Sequence, residues 1–185
     1  NVQKYQTLAN QNGYKDEPYA IMPRLTGRWQ KTIGKANINV FSQFTRFVHD
    51  SKQDGSRTVL YPSVRWDFNN QWGYIRPKIG VHATYYDLGS FGNQSGRRVS
   101  RVLPIFNVDT GMTFERNANV FGKAYLQTLE PRLFYNYIPT KSQNDLPNFD
   151  TSENSFSYNQ LFRENLYVGN DRINSANSLT AAAQT

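Results

Sequence analysis

The chain contains no cysteine among its 185 residues, so it can form neither internal disulfides nor thiolate metal sites. No run approaches the roughly 18 apolar residues of a transmembrane helix. No block of five like charges occurs, which excludes a basic tail. The first residues, NVQKYQTLANQNG, carry no initiator methionine, apolar signal stretch or targeting segment. The last, SLTAAAQT, read as the inside of a strand, so both ends read as cut from a longer protein. Nucleophile motifs, phosphate-binding glycine loops and zinc signatures are all missing. His49 and His82 lie far apart without ligand spacing and read as lumen or loop residues. The acids Asp145, Asp150 and Glu153 lack the spacing of a calcium loop and read as solvated. No cofactor, metal or enzymatic step is expected.

What is present is aromatic. Hydrophobic residues make up 38% of the chain and mean hydropathy is −0.70, yet aromatics reach 15%, with twelve Tyr, twelve Phe and three Trp. Elements apolar on one face only reconcile these values. The net charge of +7 and a pI near 9.6 point to a polyanionic partner such as nucleic acid, an anionic membrane or an acidic glycan.

Period-2 alternation dominates over helical periodicity. It predicts seven strands, over 19–30, 36–49, 57–68, 72–88, 98–115, 123–138 and 174–185. Short connections at 31–35, 69–71 and 116–122 alternate with longer ones at 50–56, 89–97 and 139–173. An up-and-down antiparallel meander puts the short turns at one end and the long loops at the other, the habit of outer-membrane barrels. A soluble meander with unequal loops would share this feature.

Five strands present a face without charge. Leu60 and Val64, Ile79 and Val81, Phe106 and Val108, and Leu133 sit on that face and are expected to meet lipid. Arg24, Arg28, Arg65, Arg76, Lys78, Arg101, Glu130 and Arg132 fall on the opposite face and are expected to line a water-filled lumen, against cargo or a plug. The alternation persists for about 11 residues, whereas soluble strands cluster near 5–6 and a tilted membrane strand needs about 9–11. Trp29, Trp66 and Trp72 gather at the short-turn end of the apolar face, and Tyr19, Tyr85, Tyr135 and Tyr137 at the long-loop end, in the pattern of two interfacial aromatic girdles. Pro23, Pro62, Pro77, Pro104 and Pro131 interrupt the strands on the apolar face. Each removes a ladder donor and is expected at a bulge or where water reaches the stranded carbonyl.

Residues 127–180, QTLEPRLFYNYIPTKSQNDLPNFDTSENSFSYNQLFRENLYVGNDRINSANSLT, closely resemble the lipopolysaccharide-assembly outer-membrane protein family, LptD (also called Imp or OstA). The stretches YQTL, PYAIMPRL, RPKIGVHATYYDL and SRVLPIFNVDTGMTFER agree in order, so the resemblance covers essentially the whole chain. It implies a very large antiparallel barrel in the outer membrane of Gram-negative bacteria. A soluble N-terminal jellyroll domain would receive lipopolysaccharide from a periplasmic bridge. A lipoprotein, LptE, would plug the barrel, and a lateral opening between the first and last strands would release the cargo. The jellyroll, the family's disulfide cysteines and the closing strands have no counterpart here, so the lateral opening is assigned to no residue. On this resemblance residues 1–185 are one stretch of a transmembrane β-barrel, incomplete at about seven strands, with 139–173 an external loop and 1–18 the end of another. The expected partners are lipopolysaccharide, LptE, membrane lipid and the periplasmic bridge, and not nucleic acid. The alternative is a porin-type or nutrient channel whose basic lumen selects anions. A soluble sheet that binds acidic glycans is a third reading.

Overall fold

A computed structural model describes residues 1–3, 17–93, 95–155 and 157–185. The YQTL stretch and most of the N-terminal segment expected to form a loop lie outside the described residues. The fold is all-β and antiparallel. The strands are β1 (Ala20–Ile33), β2 (Ala36–Val48), β3 (Gly55–Trp66), β4 (Phe68–Asn69), β5 (Gly73–Leu88), β6 (Arg97–Met112), β7 (Phe114–Val120), β8 (Lys123–Ile138) and β9 (Ala176–Gln184). β3 and β4 form one strand broken at Asp67, and β6 and β7 one strand broken at Thr113. The order is therefore β1-β2-β3/β4-β5-β6/β7-β8-β9, with every neighbour in the sequence a neighbour in space. Among the described residues β1 and β9 do not pair, so the sheet is open, as part of a larger barrel would be.

Turn chemistry explains the short end. β1 and β2 meet at Gly34–Lys35, with Gly34 at φ +59°. β7 and β8 meet at Phe121–Gly122, where φ is +51° and +74°. Positive φ at both central residues suits the right-handed twist of a hairpin, and glycine takes one of them without steric cost. The strands run further into these turns than expected: β7 extends to Val120, where a turn over 116–122 is predicted.

The prolines divide into two kinds. Between Ile21↔Phe47 and Arg24↔Thr45 one strand advances three residues and the other two, so Met22 and Pro23 form a bulge. At Tyr61–Pro62 the β3–β5 ladder is interrupted and resumes in the same register at Ser63↔Gly80. Pro77 and Pro131 lie at similar gaps on one side while paired on the other, with Val108 and Ala183. Bulging thus explains only Pro23, while interruption without slippage accommodates Pro62, Pro77 and Pro131.

That bulge corrects one face assignment. It turns Tyr19 and Ile21 to the charged side of the sheet, because a one-residue slip exchanges faces. Ile21 packs there with Phe47, Tyr86 and Leu88. Tyr19 stands edge-on to Phe149, 4.9 Å between ring centroids, instead of joining an aromatic ring on the apolar side. Residues 1–3 also depart from the loop expected over 1–18: Asn1 and Gln3 hydrogen-bond along the edge of β1 at Arg24 and Ile21.

The second correction concerns the charged face itself. Water was expected to wet it throughout. Instead residues 139–175, which we term the strap, fold back from the long-loop end and cover much of it. Leu146 and Phe149 complete the cluster of Ile21, Phe47, Tyr86 and Leu88. Ile173 packs with Leu103, Ile105 and Ile138. Phe149 stacks on Phe47 with centroids 4.3 Å apart and planes 9° apart. Burying each such side chain contributes about 1.5–3 kcal/mol. The core therefore lies between sheet and strap, and among the described residues none covers the apolar face of the sheet.

Candidate functional site

The strap is held to the sheet by charge as well as by packing. The wall supplies donors and the strap acceptors. Arg57 of β3 is 1% exposed and donates through Nη1 to Asp150 and Asp171, each at 2.6 Å. Its Nη2 reaches the second oxygen of Asp150 at 3.1 Å, and Arg24 of β1 donates to that oxygen at 2.6 Å. Asp171, fully buried, accepts further from the Tyr86 hydroxyl at 3.0 Å and from the Phe149 and Asp150 amides. Arg101 of β6, 1% exposed, donates to the carbonyls of Asn170 and Asp171, to Gln143 and to Thr84.

A second fastening lies nearer the middle of the sheet. Glu164 accepts from Lys78, from Tyr61 at 2.7 Å and from Asn107 at 2.7 Å, while its carbonyl accepts from Asn136. Gly80 makes room for Tyr61: a Cβ there would stand 2.6 Å from the tyrosine ring. The 3₁₀ turn Tyr158–Phe162 precedes it, and Phe162 lies under the Arg132 guanidinium, 4.0 Å from ring centroid to Cζ.

Burial pushes the carboxyls of Asp171 and Glu164 up, but their partners more than offset it. Arg57 and the two backbone amides bring Asp171 below its ordinary value. Lys78, Tyr61 and Asn107 do the same for Glu164. A carboxyl with a depressed folded-state pKa stabilises above its unfolded value and loses that contribution as pH falls through the folded one. Strap protection measured by hydrogen exchange is therefore expected to hold from pH 8 to pH 5 and to fall only below about 4. Loss of protection between pH 7 and 5 would contradict these ion pairs as the fastening.

The residues singled out in the sequence fall in three places. Arg24, Lys78 and Arg101 bond the strap. Arg65 pairs along its own strand with Asp67, Arg132 pairs with Asp109 on the neighbouring strand through two bonds of 2.9 and 2.8 Å, and Arg76 stacks on Tyr74 at 4.1 Å. Arg28, over the Phe41 ring, and Glu130 are exposed on the same side. On the opposite face Leu60, Ile79, Val81, Phe106 and Leu133 are exposed and Val64 and Val108 half-buried. Trp29, Trp66, Tyr85, Tyr135 and Tyr137 share that face, and exposed Trp72 sits in the turn before β5. His82 is buried beside Tyr61, and His49 contacts the Glu17 carbonyl.

Sequence reasoning missed Arg57, Asp150, Glu164 and Asp171 as a set. Asp150, read as a solvated loop acid, is a bridge between two arginines. The signal was available in the strap: Leu146, Phe149, Leu161, Phe162, Leu166, Val168 and Ile173 are more apolar side chains than a solvated loop needs.

Comparison with known proteins places the chain in a family. The family model described as LPS transport system D matches residues 1–185. "LPS-assembly protein LptD" of Neisseria meningitidis serogroup A is 71% identical over 184 residues, covering 100% of this chain and 23% of that protein. The protein of the same name from Neisseria gonorrhoeae is 69% identical over the same span, and that from Chromobacterium violaceum 47% identical over 98% of this chain. The chain thus spans about a quarter of the length of these relatives, and over that whole span it belongs to the LptD family.

Proposed function

We propose that this chain is part of an outer-membrane barrel of a Gram-negative bacterium that transports lipopolysaccharide and inserts it into the outer leaflet. The observation that carries the reading is the apolar face. β5, β6 and β8 each run 16 residues, beyond the roughly 9–11 a tilted spanning strand needs, and among the described residues that face carries no protein cover. A soluble protein rarely leaves so large an apolar surface open. Leu60, Ile79, Val108 and Leu133 meet hydrocarbon, the Trp and Tyr side chains at either end of this face meet the headgroups, and residues 139–175 enter the barrel from outside the cell. The relatives named above are all lipopolysaccharide-assembly proteins and lend a porin-type channel no support. Lipopolysaccharide, membrane lipid, the LptE plug and a periplasmic bridge delivering through another domain are the partners of this reading.

The chemistry is transport by non-covalent contacts. The lower half of the charged face, with Arg28, Arg65, Arg76 and Arg132, offers donors to the plug or to the phosphorylated, sugar-rich end of the cargo. Reversing two wall charges together, Arg76→Glu and Lys78→Glu, is expected to lower surface lipopolysaccharide at least severalfold in cells relying on the variant. The barrel's heat-modifiable migration reports that it has assembled. Normal surface lipopolysaccharide with an assembled barrel would exclude a cargo or plug role for these two residues.

A further inference from the structure

The strap's fastening at Arg57 is chemically lopsided. The sheet contributes three guanidinium groups, from Arg24, Arg57 and Arg101, and the strap contributes two carboxylates, Asp150 and Asp171. Among the described residues Arg101 has no carboxylate partner within bonding distance and rests on neutral carbonyl and amide oxygens and a hydroxyl. The Nε–H groups of all three arginines are buried without a protein acceptor among the described residues. Arg57 and Arg101 are both 99% buried, so unspent donor capacity is concentrated at one point of the wall.

The positions of the acceptors are equally specific. Both oxygens of Asp150 accept from Arg57 and one of them also accepts from Arg24, and Asp171 adds an oxygen shared by Arg57 and Tyr86. Several oxygens carrying about two negative charges, gathered among planar donor forks, are what a phosphate group presents.

We propose that the arginine wall is a phosphate-binding site which the strap occupies with its own carboxylates, so that Asp150 and Asp171 stand in for the phosphates of a sugar-phosphate ligand and leave when one arrives. The inference rests on the transport reading above and adds to it a residue-level site and the element that closes it. When the strap lifts, Arg24, Arg57 and Arg101 remain on three different strands of the sheet, already placed to receive phosphate oxygens. Sheet strands hold such a constellation more firmly than a loop would.

The test uses the full-length protein in detergent and three probes: a glucosamine disaccharide bearing two phosphates, the same disaccharide without them, and inorganic pyrophosphate. The double variant Asp150→Asn/Asp171→Asn is expected to bind the phosphorylated disaccharide at least tenfold more tightly than the wild type, with the unphosphorylated sugar unchanged. Adding Arg57→Gln and Arg101→Gln should erase the gain. In the wild type, saturation with the phosphorylated disaccharide should raise hydrogen exchange of amides 146–151 and 169–173 severalfold, a reading that needs no variant to fold. An unchanged affinity, a gain that survives loss of both arginines, or unaltered exchange in the wild type would overturn the proposal. A gain for pyrophosphate alone would overturn its assignment to a sugar phosphate. Surface lipopolysaccharide in cells depleted of the protein is scored separately, so the site can fail while the transport reading stands.

Discussion

Replacing Arg57 with leucine is expected to release the strap while the sheet keeps its pairing. The leucine leaves Asp150 and Asp171 without their shared cation, and Asp171 is fully buried. Breaking a buried pair by removing one partner costs about 3–5 kcal/mol, because the remaining charge is left uncompensated. The apolar side of the strap retains Phe149 against Phe47, and Glu164 retains Lys78, so release begins at Asp150 and Asp171 and spreads. Hydrogen exchange should therefore rise first in 146–151 and 169–173 and later near 164, with the β5–β6 ladder unaffected. Asp150→Asn should cost far less, about 1 kcal/mol, because that carboxylate is partly exposed and Arg57 keeps Asp171. Equal losses for the two substitutions would mean that the buried pair is not what holds the strap.

The second large effect concerns the other face. Arginine at Ile79 is expected to destabilise the membrane-inserted protein by about 2–4 kcal/mol, the cost of that side chain on the lipid side of a barrel near mid-membrane. Its neighbour Lys78 already carries a charge at the adjacent position, on the opposite face and bonded to Glu164. One residue along the strand thus separates a tolerated cation from a costly one. Unfolding from lipid vesicles measures the difference, and the conservative substitution Arg28→Lys, at an exposed position on the charged face, serves as the neutral reference. A loss below about 0.5 kcal/mol at Ile79 would mean that water, not hydrocarbon, lies against it.

Much of this architecture was legible because it rests on the shortest-range rule in the chain, the alternation of side chains along a strand. The five strands with one uncharged face, and the short and long connections between them, follow from that period alone. Where the period slips, the reading fails: Met22 and Pro23 add a residue opposite Arg46, and Tyr19 and Ile21 change sides, which no local pattern announces. The strap was less legible for a different reason. Its fastening joins Arg24 to Asp150 and Arg57 to Asp171 across 126 and 114 positions, and neither partner carries a local motif. Arg101 lies on the charged side of β6, but its burial depends on a segment that arrives from elsewhere in the chain.

All of the functional reading depends on which solvent touches each face. Nitroxide side chains placed singly along β5 and β8 of the full-length protein in bilayers answer this, through relaxation by oxygen, which partitions into hydrocarbon, and by a charged nickel complex, which does not. At positions 79, 81 and 133 oxygen should dominate, and at the alternating positions 82, 84 and 132 both reagents should be weak or nickel should dominate. Nickel access at 79 and 133 equal to that of an exposed loop site would place water on the apolar face and contradict the membrane-spanning account.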